Sequence, residues 1–140
     1  MKRLMLLFAF PALFVTGCKK EDACNLSSTS ILGTYKVVSY TLQETATSTP
    51  VDFYPLFDAC DKDNTYTFYE NGTFVVADAG IVCDEYYADS ESWELIGNMI
   101  VFGDDEIGVA EIEKFSCTRF VILVEDGLEG GIMKITLQRV

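Results

Sequence analysis

The chain has 140 residues, with 10 basic and 22 acidic side chains, five cysteines, no histidine and 49% hydrophobic residues. That length makes one small domain, and a net charge of -12 argues against a nucleic-acid surface, which needs clustered Lys and Arg to displace phosphate counterions. The absence of histidine excludes Ser-His and Cys-His nucleophile pairs, HExxH zinc sites and histidine-ligated haem.

Met1-Lys2-Arg3 is a basic start, Leu4 to Val15 an apolar run broken by Pro11, and Val15-Thr16-Gly17-Cys18 closes it. The run is too short for a helix to cross a bilayer core, which takes about 20 residues, and it has the pattern of a secretory signal. Residues 15 to 18 resemble a bacterial lipobox. That resemblance implies cleavage before Cys18 and acylation of that cysteine, so residues 1-17 are expected to be a lipoprotein signal peptide and 18-30 a lipidated N-terminus and tether. The other reading is an ordinary signal peptide with a cysteine beside its cleavage site. Two or more acyl chains give stable anchoring, since each buried methylene contributes about 0.8 kcal/mol. Cys18-Lys19-Lys20-Glu21-Asp22 is similar to the export signal of surface lipoproteins in the Bacteroidetes, which implies a lipid-anchored protein of a bacterial outer membrane. Loss of Lys2 and Arg3 with the leader leaves eight basic against 22 acidic side chains, a charge of -14.

Residues 19 to 30 are small and polar, and from Ile31 onward β-branched and aromatic runs alternate with Gly, Asn and Asp clusters at the spacing of an all-β domain over 31-140. Eight strands are predicted, at 33–42, 65–69, 73–77, 91–96, 99–102, 106–114, 118–124 and 132–140. A three-residue turn at Glu70-Asn71-Gly72 sets Phe68 opposite Phe74 and Tyr66 opposite Val76, on one apolar face; it needs a positive φ at Gly72. A two-residue turn at Gly97-Asn98 pairs Leu95 with Ile100 and Trp93 with Phe102. The apolar phase changes between Tyr35/Val37 and Val38/Tyr40/Leu42, and again between Ile107/Val109 and Ile112. Such changes fit bulges in strands that curve.

Several short motifs now combine. Gly33-Thr34-Tyr35 opens the first long strand, and Cys60-Asp61-Lys62-Asp63-Asn64, Thr67-Phe68, Asn71-Gly72-Thr73-Phe74, Cys83 and Trp93-Glu94-Leu95 follow, with Arg139 ending the last strand. Over most of residues 31 to 140 this resembles a lipocalin-like domain, in the branch found in small bacterial lipoproteins. The resemblance implies an eight-stranded antiparallel up-and-down barrel of the calycin kind, closed near Tyr35 and Arg139 and open opposite. Arg139 either stacks on Tyr35 or Trp93, a contact of about 0.5–2 kcal/mol, or points into water.

In an up-and-down meander alternate loops lie at opposite ends. Cys60 and Cys83 fall at the mouth, and Cys24 and Cys117 at the base. A strand of six to eight residues spans roughly 20–26 Å, whereas bridged Cα atoms lie within about 7 Å. The expected disulfides are therefore Cys60–Cys83 and Cys24–Cys117. A zinc or redox role for these cysteines has no CxxC and no histidine behind it.

The mouth loops carry Asp52, Asp58, Asp61, Asp63, Asp84, Glu85, Asp89, Asp104, Asp105, Glu106, Glu125, Asp126 and Glu129 against Lys62. Such a rim repels anionic head groups and favours neutral or cationic ligands or basic proteins; the plainer reading is that it keeps the domain soluble. Calcium candidates are Asp61, Asp63, Asp104, Asp105 and Glu106, without an EF-hand pattern, and no metal or cofactor is expected. Tyr66, Phe68, Phe74, Trp93, Phe102 and Phe120 all point inward and are the interior candidates for ligand contact. At about 150–250 Å² each they can fill much of the bore, so any cavity should be small and aromatic. The expected function is a non-catalytic binding module for a small apolar ligand. A protein-interaction or inhibitor module for a basic partner ranks second, and an enzyme third, because no carboxylate pair is singled out for acid/base work.

Overall fold

The alternating runs from Gly33 onward form strands, and eight of them close into an antiparallel up-and-down barrel. The structure is a computed structural model and describes residues 24–45, 47–83, 89–103, 108–126 and 131–140. Its strands are β1 (Gly33–Gln43), β2 (Val51–Asp52), β3 (Thr65–Phe68), β4 (Thr73–Ala77), β5 (Asp89–Ile96), β6 (Met99–Phe102), β7 (Gly108–Phe115), β8 (Arg119–Asp126) and β9 (Gly131–Arg139). From β3 to β9 each strand pairs with the next. The last then returns to β1, from Tyr35↔Arg139 to Gln43↔Ile132. That pairing leaves a closed ring and excludes an open sandwich.

Both predicted hairpins have the expected register. Phe68 faces Phe74 and Tyr66 faces Val76; the turn is held by Gly72 N–H donating to the Tyr69 carbonyl at 3.1 Å, and Gly72 sits at φ +80. Trp93 faces Phe102 and Leu95 faces Ile100 around Gly97-Asn98. In each case a glycine supplies a backbone conformation that other residues resist, so the turn sets which side chains share a face.

The phase change in β1 is a bulge between Val37 and Ser39. Val38 is the extra residue and faces outward. In β7 the irregularity lies after Ile112, between Ile112 and Lys114, and not before it as the sequence suggested. Ala110 and Ile112 are buried while Val109 is exposed; the inward row therefore runs through a small residue that hydropathy alone does not mark.

The polar stretch ahead of Ile31 is more than a spacer over its described part. Ser28–Ile31 form a one-turn helix, α1, in which Ser27 accepts from Ser30 N–H and the Ser30 hydroxyl accepts from Ser27 N–H. This capping box satisfies the first amides and seats Ile31, which is fully buried, beneath the barrel. A second departure is the segment between β1 and β3. There β3 reaches only Gly33–Tyr35 of β1, and the upper edge of β1 pairs instead with β2, at Thr41↔Asp52 and Leu42↔Val51. A 3-10 turn (Tyr54–Leu56) and a short helix, α2 (Ala59–Lys62), follow.

Buried side chains gather at the base. Ile31, Tyr35, Phe68, Trp93, Ile100, Ile112, Phe120 and Leu137 form one cluster, which continues upward through Val37, Ala110 and Ile122. Higher up, several inward positions are smaller: Val37, Gly108, Ala110 and Val124. An eight-stranded bore needs bulky side chains to fill it, so the large residues close the bottom and the upper half is hollow.

Candidate functional site

The closed end is organised by Tyr35 and Arg139. Tyr35 is 1% exposed, and its hydroxyl donates to the Ile31 carbonyl at 2.8 Å. Arg139 Nη2 donates to the Tyr35 hydroxyl at 2.6 Å and to the Ser30 carbonyl at 2.7 Å, with its guanidinium carbon 5.2 Å from the Tyr35 ring centroid. Arg139 thus lies against Tyr35 and ties α1 to the last strand. Trp93 takes another role: its indole N–H donates to the Tyr69 carbonyl at 3.1 Å and its ring packs edge-on to Phe68.

Burial pushes the Tyr35 phenol above the ordinary value of 10.0, a shift that the Arg139 contact reduces without reversing. Tyr66 is raised too, by burial and then by the nearby Asp61 carboxylate. Both phenols keep their protons to higher pH folded than unfolded. Their contribution to stability is therefore complete below pH about 10 and is lost as pH rises through the folded values. Urea midpoints should fall above pH about 10, and fall less steeply for Tyr35→Phe, which has no proton to lose there. Equal slopes in the two proteins would remove Tyr35 from this account.

Above the aromatic floor is a cavity of about 740 Å³. One wall is aromatic, from Tyr66, Phe68, Phe74 and Phe102 on β3, β4 and β6; the other is aliphatic, from Val37, Ile122, Val124, Ile135 and Leu137 on β1, β8 and β9. Four of the six interior candidates thus line it. Trp93 and Phe120 are buried and lie outside the lining, packed with Phe68 and Tyr35 in the floor beneath it. The cavity is larger than the small aromatic space expected from the sequence.

The segment between β1 and β3 covers the gap left above Tyr35. Phe53 N–H donates to the Tyr40 carbonyl at 2.9 Å, and the Phe57 ring lies 5.1 Å from that of Tyr40. Tyr40 and Phe57 both reach the cavity. Two disulfides fasten the ends as predicted: Cys60–Cys83 at the mouth, with Cα atoms 5.5 Å apart, and Cys24–Cys117 at the base, 5.2 Å apart.

Of the acidic rim, Asp52, Asp58, Asp61 and Asp63 lie on the covering segment, and Asp89, Glu125 and Asp126 on strand ends. Asp63 accepts from Ile81 N–H at 2.7 Å, which joins this segment to the loop after β4. Asp84, Glu85, Asp104, Asp105, Glu106 and Glu129 lie outside the described residues, as does Cys18, so the five calcium candidates are not brought together among the described ones. Cys60, Asp61 and Cys83 do approach one another within 4.8 Å, but the disulfide occupies both sulfurs.

Sequence reasoning missed Phe57, Tyr40, the aliphatic wall and Glu91, which borders the cavity from β5. Glu91 had a usable signal, since it shares the phase of Trp93 and Leu95. Phe57 had none, because it stands in a segment without period.

A family model described as a lipocalin-like domain matches residues 31–122 of this chain. No curated protein matches it. Among solved structures it is similar to a redesigned β-barrel, at 13% identity and a TM-score of 0.34, over 84% of this chain and 98% of that one.

Proposed function

Because the chain belongs to the lipocalin-like domain family, whose barrel is a small-ligand-binding fold, we propose that it is a non-catalytic binding module of the cell envelope. It takes a small apolar ligand, neutral or cationic, and acyl chains on Cys18 hold it at the outer membrane. The observation that carries this reading is the cavity. At about 740 Å³ it falls within the range of small-molecule sites, about 300–1,000 Å³, and its walls are predominantly apolar, as such sites are. The anchor is supported by the lipobox pattern at residues 15 to 18.

A second reading is a protein-interaction module that engages a basic partner through the acidic mouth. It is favoured by Leu56, Ile81 and Val82, which are 74%, 60% and 70% exposed beside those carboxylates. Native mass spectrometry of the protein purified from its own cells separates the two. A retained small molecule, on a chain that begins at an acylated Cys18, is the expected result. A bare protein mass with salt-sensitive capture of a basic protein would replace the first reading with the second.

A further inference from the structure

The walls of the cavity are apolar except for carboxylates and phenols. Glu91 stands directly across from Phe74 in the β4–β5 pairing and two positions from buried Trp93. Residues opposite one another, or two apart on a strand, share a face, so Glu91 belongs to the inner row, in the mouth half. Glu125 borders the cavity from β8, three strands further round the ring. Tyr40 and Tyr66 add phenols, and among the described residues no Lys or Arg lines the space.

The distribution of charge selects among ligands. Glu91 forms no ion pair among the described residues. Glu91 is solvent-exposed where it borders the apolar chamber, and there its charge attracts a cation that arrives on an apolar body, an attraction that salt screens. Next to it, the rings of Phe74 and Tyr66 lie 6.3 Å apart and near-parallel, at 27°, and aromatic faces add further attraction for ammonium groups. An anionic head at the same place would meet Glu91 and Glu125, with no basic side chain among the described lining residues to neutralise it.

We propose that Glu91 recognises the charged end of the ligand, and that the barrel's ligand class is an amphiphilic monocation: an amine or quaternary ammonium carried on an apolar body. This rests on the binding-barrel reading above and specifies the chemistry of the same cavity.

The test is displacement of a neutral fluorescent probe, N-phenyl-1-naphthylamine, from the purified protein by decyltrimethylammonium and by decyl sulfate, both below their micellar concentrations. At low salt the cation is expected to compete at about tenfold lower concentration than the sulfate, and the gap should shrink as salt rises. Glu91→Gln should weaken the cation about fivefold more than it weakens the neutral probe. Glu94→Gln makes the same charge change on the outer face of β5, away from the cavity lining, and should leave both the cation and the neutral probe unchanged. Equal competition by cation and sulfate, or equal effects of the two variants, would overturn the assignment while leaving the binding barrel intact. Failure of the neutral probe to bind at all would overturn the binding barrel and the assignment with it.

Discussion

Cys24→Ala/Cys117→Ala is expected to lose about 4.6 kcal/mol of stability, against about 3.4 kcal/mol for Cys60→Ala/Cys83→Ala. The difference follows from the entropy of the unfolded chain, since the first bridge spans a sequence separation of 93 and the second one of 23. A native-state contribution acts in the same direction at the base. Cys24 holds the start of the segment that forms α1, and so holds Ile31 beneath the barrel and the Ser30 carbonyl against Arg139. A domain of this size has about 5–15 kcal/mol in total, so the base bridge accounts for about a third or more of it. Urea unfolding of both variants measures the order. A reversed order would mean that strain or residual structure in the unfolded chain outweighs loop closure.

Phe120→Ala is expected to cost about 3–5 kcal/mol while leaving the affinity for a neutral apolar probe nearly unchanged. The Phe120 ring is 1% exposed, 4.9 Å from Tyr35 and edge-on to it, and 6.0 Å from Phe68. Truncation leaves a void that the surrounding strands cannot close, since they are hydrogen-bonded round the ring. Phe74→Ala should behave in the opposite way. Its ring is only partly buried and lines the cavity, so it should cost about 1–2 kcal/mol in stability and weaken the probe. Similar stability losses for the two, with similar effects on binding, would show that floor and wall are not separate.

How much of this was legible depends on how local each signal is. Leu95 with Ile100 and Phe68 with Phe74 lie on either side of tight glycine turns, and a two-residue period across a short turn is written within about ten residues of sequence. The disulfides were legible for a different reason: in a meander, counting turns is enough to sort cysteines to one end or the other. The β7 bulge was misplaced because Ala110 and Gly108 occupy inward positions that a search for large apolar residues passes over. The covering segment was invisible because Tyr54 and Phe57 follow no period, and they are ordered by the β1 edge that β3 leaves open.

Direction and depth are separate properties of an inward side chain. Composition and alternation determined that this chain is all-β, that six aromatic residues point toward one axis, and that its four later cysteines pair within their own ends. They did not determine how far along that axis each ring lies. The closed ring decided this, by bringing Tyr35, Phe68, Trp93 and Phe120 together with Ile31 at the base while smaller residues line the space above. An empty volume is a property of the space between strands distant in sequence, so no local pattern encodes it, and the same closure placed Glu91 at its edge.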